Sequence, residues 1–209
     1  MGIKAVVFDF GKVISFPPGD SVRDEMASLS GLSRRRFDEL DRQYRDRYDL
    51  GIYNMEEYYR FLLSAAEIFP GKEIIDRIAG TDRQSWSRIN PGTIDLIREI
   101  KKRGLKFGIL SNMSHDFLSW CRQNVPVFTE ADAAVFSCEA GSVKPEDAIY
   151  EIMVKALGCG YGEVVFFDDM EENVAKARSL GMRAFVWKAP EEAGRTLERL
   201  DPVFAGLPR

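Results

Sequence analysis

Asp9, Ser111, Asn112, Lys144, Asp168 and Asp169 are the side chains whose types and placement would do chemistry together. All but Lys144 follow directly on a short apolar run, and Lys144 stands in the loop after another. One carboxylate in such a place is weak evidence, because Asp often caps the next helix. Three carboxylates, a hydroxyl and a lysine form a different kind of signal. Three acids brought together repel one another unless a cation binds them. Oxygen ligands with few alternatives point to magnesium, which keeps several waters and binds through a small number of carboxylates. Lys144 adds a second positive charge, and Ser111 and neighbouring backbone amides can donate hydrogen bonds. Cations and donors around a carboxylate suit a phosphoryl group, whose oxygens need both in the transition state.

For these residues to meet, the runs before them must be strands that end on one edge. Ile3–Phe8 is apolar and β-branched and is bounded by Gly11, which predicts a buried strand ending near Asp9. Strands are expected at Lys106–Leu110, Ala133–Ser137, Glu163–Phe167 and Arg183–Trp187. Helices are expected between them. One starts at the Asn90 cap with Pro91 in its first turn and stops at Gly104. The others cover Phe117–Gln123, Glu146–Leu157 before Gly158, and Glu171–Leu180 before Gly181. Short apolar strands alternating with helices make a parallel sheet covered on both faces, with the chemistry beyond the carboxyl ends of its strands. From Pro17 to Trp86 the pattern differs and no strand is expected. Ser33 caps a helix to about Tyr48, Asn54 caps a second, and a third covers Lys72–Ala79. The expected architecture is an α/β doubly wound parallel sheet with an inserted all-helical cap. The core takes residues 1–16 and 88–209, and the cap takes 17–87.

DFGKVI, LSN, VKPE and FFDD, in that order at strand ends, resemble the four motifs of the haloacid dehalogenase superfamily. The likeness covers segments 1–16 and about 88–190, and the helical insert is similar to that family's small cap. Gly11 and the FFDD form look closest to the sugar-phosphate phosphatases of the glucose-1-phosphatase type. The resemblance implies that Asp9 attacks phosphorus and forms an aspartyl-phosphate. It implies that Ser111, with the Asn112 backbone amide, binds the phosphoryl oxygens and that Lys144 holds both the phosphoryl group and Asp9. It places magnesium on Asp9, Asp169, Asp168 (directly or through water) and the main-chain carbonyl of Gly11. The substrate implied is a small phosphorylated metabolite.

The chain departs from the usual phosphatase pattern at Gly11, where that pattern has a second Asp that protonates the leaving alcohol and then activates water. General acid–base help of this kind is typically worth roughly 10² to 10⁴ in rate. Three consequences stay open: a substrate with a better leaving group, such as an anomeric sugar phosphate; a carboxylate from elsewhere, for example the cap; or a chain that binds a phosphorylated ligand and turns it over slowly. Dehalogenases of the superfamily also lack an acid there, but they work without metal and their last motif does not resemble Asp168–Asp169.

The remaining features narrow the class. The 209 residues are 45% hydrophobic and 30% charged, ordinary for a globular chain, and a net charge of −4 with mixed signs offers no basic face for nucleic acid. Cys121, Cys138 and Cys159 form no C-x-x-C pair, which fits reduced thiols better than a zinc or redox site. Ala5–Ile14, broken by Asp9 and Lys12, is too short and polar to span a membrane, and nothing before it resembles a signal peptide. Gly2 lacks the Ser or Thr that a myristoylation signal needs at Val6. A soluble cytoplasmic protein is expected, as monomer or homodimer. His115 is read as a helix-start residue, the Asp41–Asp49 charges as a solvated face, and Lys12, Glu172 and Asn173 as neighbours of the site.

Overall fold

The computed structural model describes residues 2–207; Met1, Pro208 and Arg209, which the expected core ranges include, lie outside the described residues. Strand β1 (Ala5–Phe8) is buried on both faces, as its unbroken apolar run requires of a central parallel strand. A helical turn over Phe10–Ile14 follows, opened by the Asp9 side chain, which accepts from the Phe10 N–H. Four helices come next: α1 (Asp20–Leu29), α2 (Arg34–Asp49), α3 (Met55–Ser64) and α4 (Lys72–Ser85). Helix α5 (Pro91–Lys102) leads to β2 (Lys106–Ser111), α6 (His115–Asn124), α7 (Val127–Glu130), β3 (Ala133–Phe136) and α8 (Ser137–Ala140). Then come α9 (Asp147–Leu157), β4 (Val164–Asp168), α10 (Glu171–Ser179), β5 (Arg183–Val186) and α11 (Pro190–Leu200).

The sheet order is β3-β2-β1-β4-β5 and every pairing is parallel. The chain builds outward from β1 through β2 to β3, then returns to the other side of β1 for β4. That reversal opens a crevice beyond the carboxyl ends of the central strands, where ligands bind in sheets of this kind. Alternate residues face opposite layers. Val6, Phe8, Ile109 and Phe167 pack with Leu96 and Ile97 of α5, Leu118 of α6 and Leu197 of α11. Val7, Leu110 and Phe166 pack with Ile149 and Met153 of α9 and Val174 of α10. The doubly wound core expected from the sequence is the one observed.

Helices α2 and α3 begin at the caps read from the sequence, Ser33 and Asn54, and Glu57 completes a capping box with Asn54. Helix α1 was not expected, although Val22, Met26 and Leu29 carry a helical spacing; the intervening charges mask it. Helix α4 runs to Ser85, six residues past the expected Ala79, because the polar stretch after Ala79 packs through Asp82 instead of through apolar side chains.

The Asp41–Asp49 charges are a correction to the sequence reading. Arg42, Asp46 and Arg47 are exposed, as that reading expects, but Asp41 and Asp49 are buried and paired with arginines of the insert. Arg45 lies 3.2 Å from Asp49, 3.7 Å from Asp41 and 3.9 Å from Asp82. Tyr58 donates to Asp41 at 2.7 Å, Tyr59 donates to Asp82 at 2.8 Å, and Arg23 adds a second cation to Asp41 at 2.9 Å. Burial raises the Asp49 and Asp82 carboxyls above their ordinary value, and Arg45 acts against it.

Arg45→Met keeps the side-chain stem and leaves three close carboxylates without their central cation. Breaking a fully buried pair costs about 3–5 kcal/mol. Arg45 keeps 29% of its side chain exposed, so the expected loss is discounted to roughly 2–3 kcal/mol in urea unfolding. A loss under about 0.5 kcal/mol would show that the carboxylates do not depend on Arg45.

Candidate active site

Three strand ends deliver the side chains. Asp9 is the first residue past β1, and its backbone N–H donates to the Phe167 carbonyl at 2.9 Å, which pins it against β4. Ser111 ends β2 and Asp168 ends β4, so both are fixed by ladder hydrogen bonds up to their own backbone. Lys144 comes from the loop between α8 and α9. The Asn112 carboxamide clamps that loop, accepting from the Lys144 N–H at 2.8 Å and donating to the Lys144 carbonyl at 3.1 Å. The Asn112 side chain therefore positions Lys144.

Lys144 is 5% exposed, and its ammonium contacts Asp9 at 2.9 Å, Asp168 at 2.6 Å and the Leu110 carbonyl at 3.0 Å. Burial alone would lower its pKa, but Asp168 and Asp9 outweigh burial and keep it above its usual value, so it stays charged. Burial raises Asp9 to about 6, with Lys144 and the Ser111 hydroxyl pulling it down and Asp168 pushing it up. Asp168 is fully buried, and its other oxygen accepts from the Met170 N–H and the Asn173 side-chain amide, both at 2.9 Å.

Asp9, Asp168 and Asp169 each place an oxygen within 4.8 Å of the others, the only such carboxylate group found among the described residues. The Asn173 Oδ1 is buried beside them with no hydrogen-bond partner. A hard divalent cation fits this set. The carboxylates supply charge and oxygen, and an orphaned acceptor suits a metal-bound water. Lys12 holds Asp169 at 2.7 Å. Its backbone takes φ +59°, a left-handed conformation uncommon for a residue with a β-carbon, and such positions cluster at functional sites. Lys12 thus touches the site, and so does Asn173; Glu172 lines the same cleft.

The cleft, about 590 Å³, runs from these residues to the helical insert. Its far wall carries Arg23, Arg42, Arg45, Asp38, Asp41 and Asp49. Tyr48 contributes a buried hydroxyl with no hydrogen-bond partner. A β-carbon built at Gly11 meets the indole of Trp86 first, at 3.3 Å, and its three nearest atoms all belong to that ring. The Trp86 Nε1 donates to Asp82 at 3.1 Å, so the buried network of the insert fixes the ring. Sequence reasoning missed Trp86 and the arginine wall, because nothing local in the sequence says that residue 86 packs over residue 11. His115 stays a helix-start residue: it is exposed, lies outside the cleft and fills the space beside Gly51, where any β-carbon would strike its ring.

Insert and core are joined at several points. The Ser15–Ile89 bridge pairs the outgoing and returning chains. Ser137 donates to the Asp49 carbonyl at 2.6 Å, and Asp116 accepts from the Met55 N–H at 3.0 Å. All three cysteines are free. Among the described residues no helix is long and apolar enough to cross a membrane.

The chain matches the family described as haloacid dehalogenase-like hydrolase over residues 3–181. It is 28% identical over 195 residues to phosphatase MT3486 of Mycobacterium tuberculosis, covering 89% of this chain and 88% of that protein. It is 26% identical over 181 residues to sesquiterpene phosphatase astK of Aspergillus oryzae, covering 86% and 87% respectively. Its fold is similar to that of HAD family enzyme bt-2542 of Bacteroides thetaiotaomicron, solved in complex with magnesium and inorganic phosphate. The TM-score is 0.68 at 20% identity, over 90% of this chain and 96% of that one.

The geometry gives Lys12 and Asp169 opposite effects on a divalent cation. Asp169→Asn removes an oxygen charge and is expected to weaken magnesium binding at least about tenfold by calorimetry. Lys12→Met removes a competing cation from the same carboxylate. It is expected to tighten binding roughly two- to fivefold, the worth of a partly exposed ion pair. Weaker binding in Lys12→Met, or an unchanged titration in Asp169→Asn, would contradict this arrangement.

Proposed function

The chain belongs to the haloacid dehalogenase-like hydrolases, and from that membership we propose that it is a magnesium-dependent phosphomonoesterase acting on a small phosphorylated metabolite. The observation that carries the reading is the buried Lys144 ammonium, 2.9 Å from Asp9 and 2.6 Å from Asp168, beside a third carboxylate at Asp169. That set suits a nucleophile, a cation site and a phosphate partner at once. It does not suit a metal-free displacement at carbon, which has no use for Asp169.

In this reading Asp9 attacks phosphorus in line and forms an aspartyl-phosphate. Lys144 orients the Asp9 carboxylate and balances charge on the phosphoryl oxygens. Ser111 and the Asn112 backbone N–H donate to those oxygens. Asp9, Asp169, Asp168 and the Gly11 carbonyl would hold magnesium, which supplies positive charge to the phosphoryl group during transfer. Residues 17–87 act as a cap over core residues 1–16 and 88–209, a division supported by the paired chain crossings at Ser15 and Ile89. The cap excludes bulk water while the reaction proceeds.

The leaving group points toward the cap wall, whose arginine and aspartate side chains favour a polar, hydroxylated group over a hydrocarbon tail. A sugar phosphate suits that wall and the cleft volume. A second reading, a phosphate-ligand binder with slow turnover, is favoured by the indole that stands where an acid–base residue would act.

One assay tests both. Phosphate release from a panel of sugar phosphates is expected with magnesium and is expected to stop with chelator. Measurable binding without release from any member would favour the binder, and chloride release from a haloacid without metal would revive the dehalogenase. Asp9→Asn is expected to fold normally by circular dichroism and to lose activity at least about 10³-fold. Near wild-type activity in that variant would remove Asp9 from its role.

A further inference from the structure

We propose that Tyr48 is the catalytic acid of this site: its hydroxyl donates to the leaving oxygen of a phosphomonoester and gives up its proton as the bond to phosphorus breaks. The inference rests on the phosphatase reading of Asp9 and supplies the proton donor that Gly11 cannot. With a phenol of the insert in that role, phosphates of unactivated alcohols come within reach of the enzyme.

Tyr48 stands in the last turn of α2 and is 1% exposed, yet it lines the same cleft as Asp9 and Ser111. Its hydroxyl is one of two buried side-chain polar atoms without a hydrogen-bond partner among the described residues; the other, the Asn173 Oδ1, belongs to the carboxylate site. A buried hydroxyl left unpaired costs about 1–3 kcal/mol, which a substrate oxygen in the cleft would recover. The neighbouring Ser114 hydroxyl is spent on Asp116 at 2.7 Å. The end of α2 is tied to the strand-end loop by a single side chain. Ser137 donates to the Asp49 carbonyl at 2.6 Å and accepts from the Met113 N–H, two residues past Ser111, at 2.8 Å. The Tyr48 ring stacks on Tyr58 with centroids 4.9 Å apart, and the Arg45 guanidinium lies 4.8 Å from its centre. Packing therefore places the hydroxyl before any substrate arrives. Asp49 is the rival donor, since burial raises its carboxyl. Arg45 holds Asp49 at 3.2 Å and favours its ionised form, whereas nothing competes for the Tyr48 proton.

Asp9 attacks phosphorus in line, so the leaving oxygen lies on the far side, toward the wall of the cleft that the insert supplies. As its bond to phosphorus breaks, that oxygen keeps the electron pair and takes the Tyr48 proton, and the alcohol departs neutral. The phenolate left behind lies beside the Arg45 cation. In the second step a water oxygen bonds to phosphorus and the bond to Asp9 breaks. One proton of that water restores the Tyr48 phenol, and the other stays with inorganic phosphate. Burial pushes the phenol above its ordinary value and Arg45 pulls it back. The proton is thus held at working pH and moves only as charge builds on the leaving oxygen.

The choice of leaving group separates this role from a structural one. kcat/KM, which reports the steps up to leaving-group departure, is measured with magnesium for wild type, Tyr48→Phe and Asp49→Asn. The substrates are sugar phosphates esterified at a primary hydroxyl, and acetyl phosphate, whose leaving carboxylate needs no proton. Tyr48→Phe keeps the ring and its stacking. It is expected to lower kcat/KM about 10²-fold or more on the sugar phosphates and less than about threefold on acetyl phosphate. An equal loss on both classes, or no loss on either, would overturn the proposal. A loss confined to the sugar phosphates in Asp49→Asn alone would overturn it too and would name the carboxylate as the donor. So would a wild type that cleaves acetyl phosphate and no sugar phosphate. Should Tyr48→Phe fail to fold by circular dichroism, the wild type decides. Its solvent isotope effect on kcat/KM is expected above unity on the sugar phosphates and near unity on acetyl phosphate, and a value near unity on both would overturn the assignment. Absence of turnover with every donor, acetyl phosphate included, would instead remove the phosphatase reading beneath it.

Discussion

The buried ammonium of Lys144 is the contact on which the arrangement depends. Two buried carboxylates at the ends of adjacent strands, Asp9 and Asp168, cannot readily both be ionised without a cation between them. Lys144 answers that need at 2.9 and 2.6 Å, and its own burial is tolerated only because both acids face it. The fold invests in placing it. The Asn112 side chain is spent on the Lys144 backbone, and the Leu110 carbonyl takes one of its protons. A carboxylate held this way, as Asp9 is, is pre-oriented, while Asp169 pairs with the half-exposed Lys12 and is the more adjustable of the three.

The helical insert solves a second electrostatic problem with a different consequence. Its arginines and aspartates pair inside the insert, where Arg45 serves three carboxylates. One of the three, Asp82, anchors the Trp86 indole over Gly11. The same network that keeps the insert folded therefore shapes the floor of the cleft at the position where the chain lacks a side chain. Stability of the insert and the shape of the cleft beside Gly11 are linked through one carboxylate.

The parts legible in the sequence were those set by local rules. Strands β1, β2 and β4 each carry a short apolar run, so the residues that end or follow those runs, Asp9, Ser111 and Asp168–Asp169, were readable from strand ends alone. Asn54 with Glu57 and Asn90 with Pro91 announced their helices through capping chemistry. What escaped were features decided by distant contacts. The second half of α4 carries few apolar residues, and its packing runs through Asp82 to Tyr59 and Trp86. Asp41 belongs to a stretch that reads as an exposed face, and it is buried where Tyr58 and Arg23 reach it from other helices. A periodicity rule does not distinguish a solvated charge from one whose partners come from elsewhere in the chain.

Gly11 shows how the two levels combine. From the sequence it is an omission, a missing acid that leaves three explanations standing. In the structure it is a complementary pair, a residue without a side chain beneath a residue with the largest. A carboxylate at position 11 would place its β-carbon 3.3 Å from the ring, tighter than most such contacts, so Trp86 crowds an acid there. The ring would have to give by a few tenths of an ångström, against its hydrogen bond to Asp82, a carboxylate shared with Tyr59 and Arg45. The fit of Gly11 under Trp86 thus depends on the helical insert, through Asp82 and its partners Tyr59 and Arg45, as much as on the turn after β1.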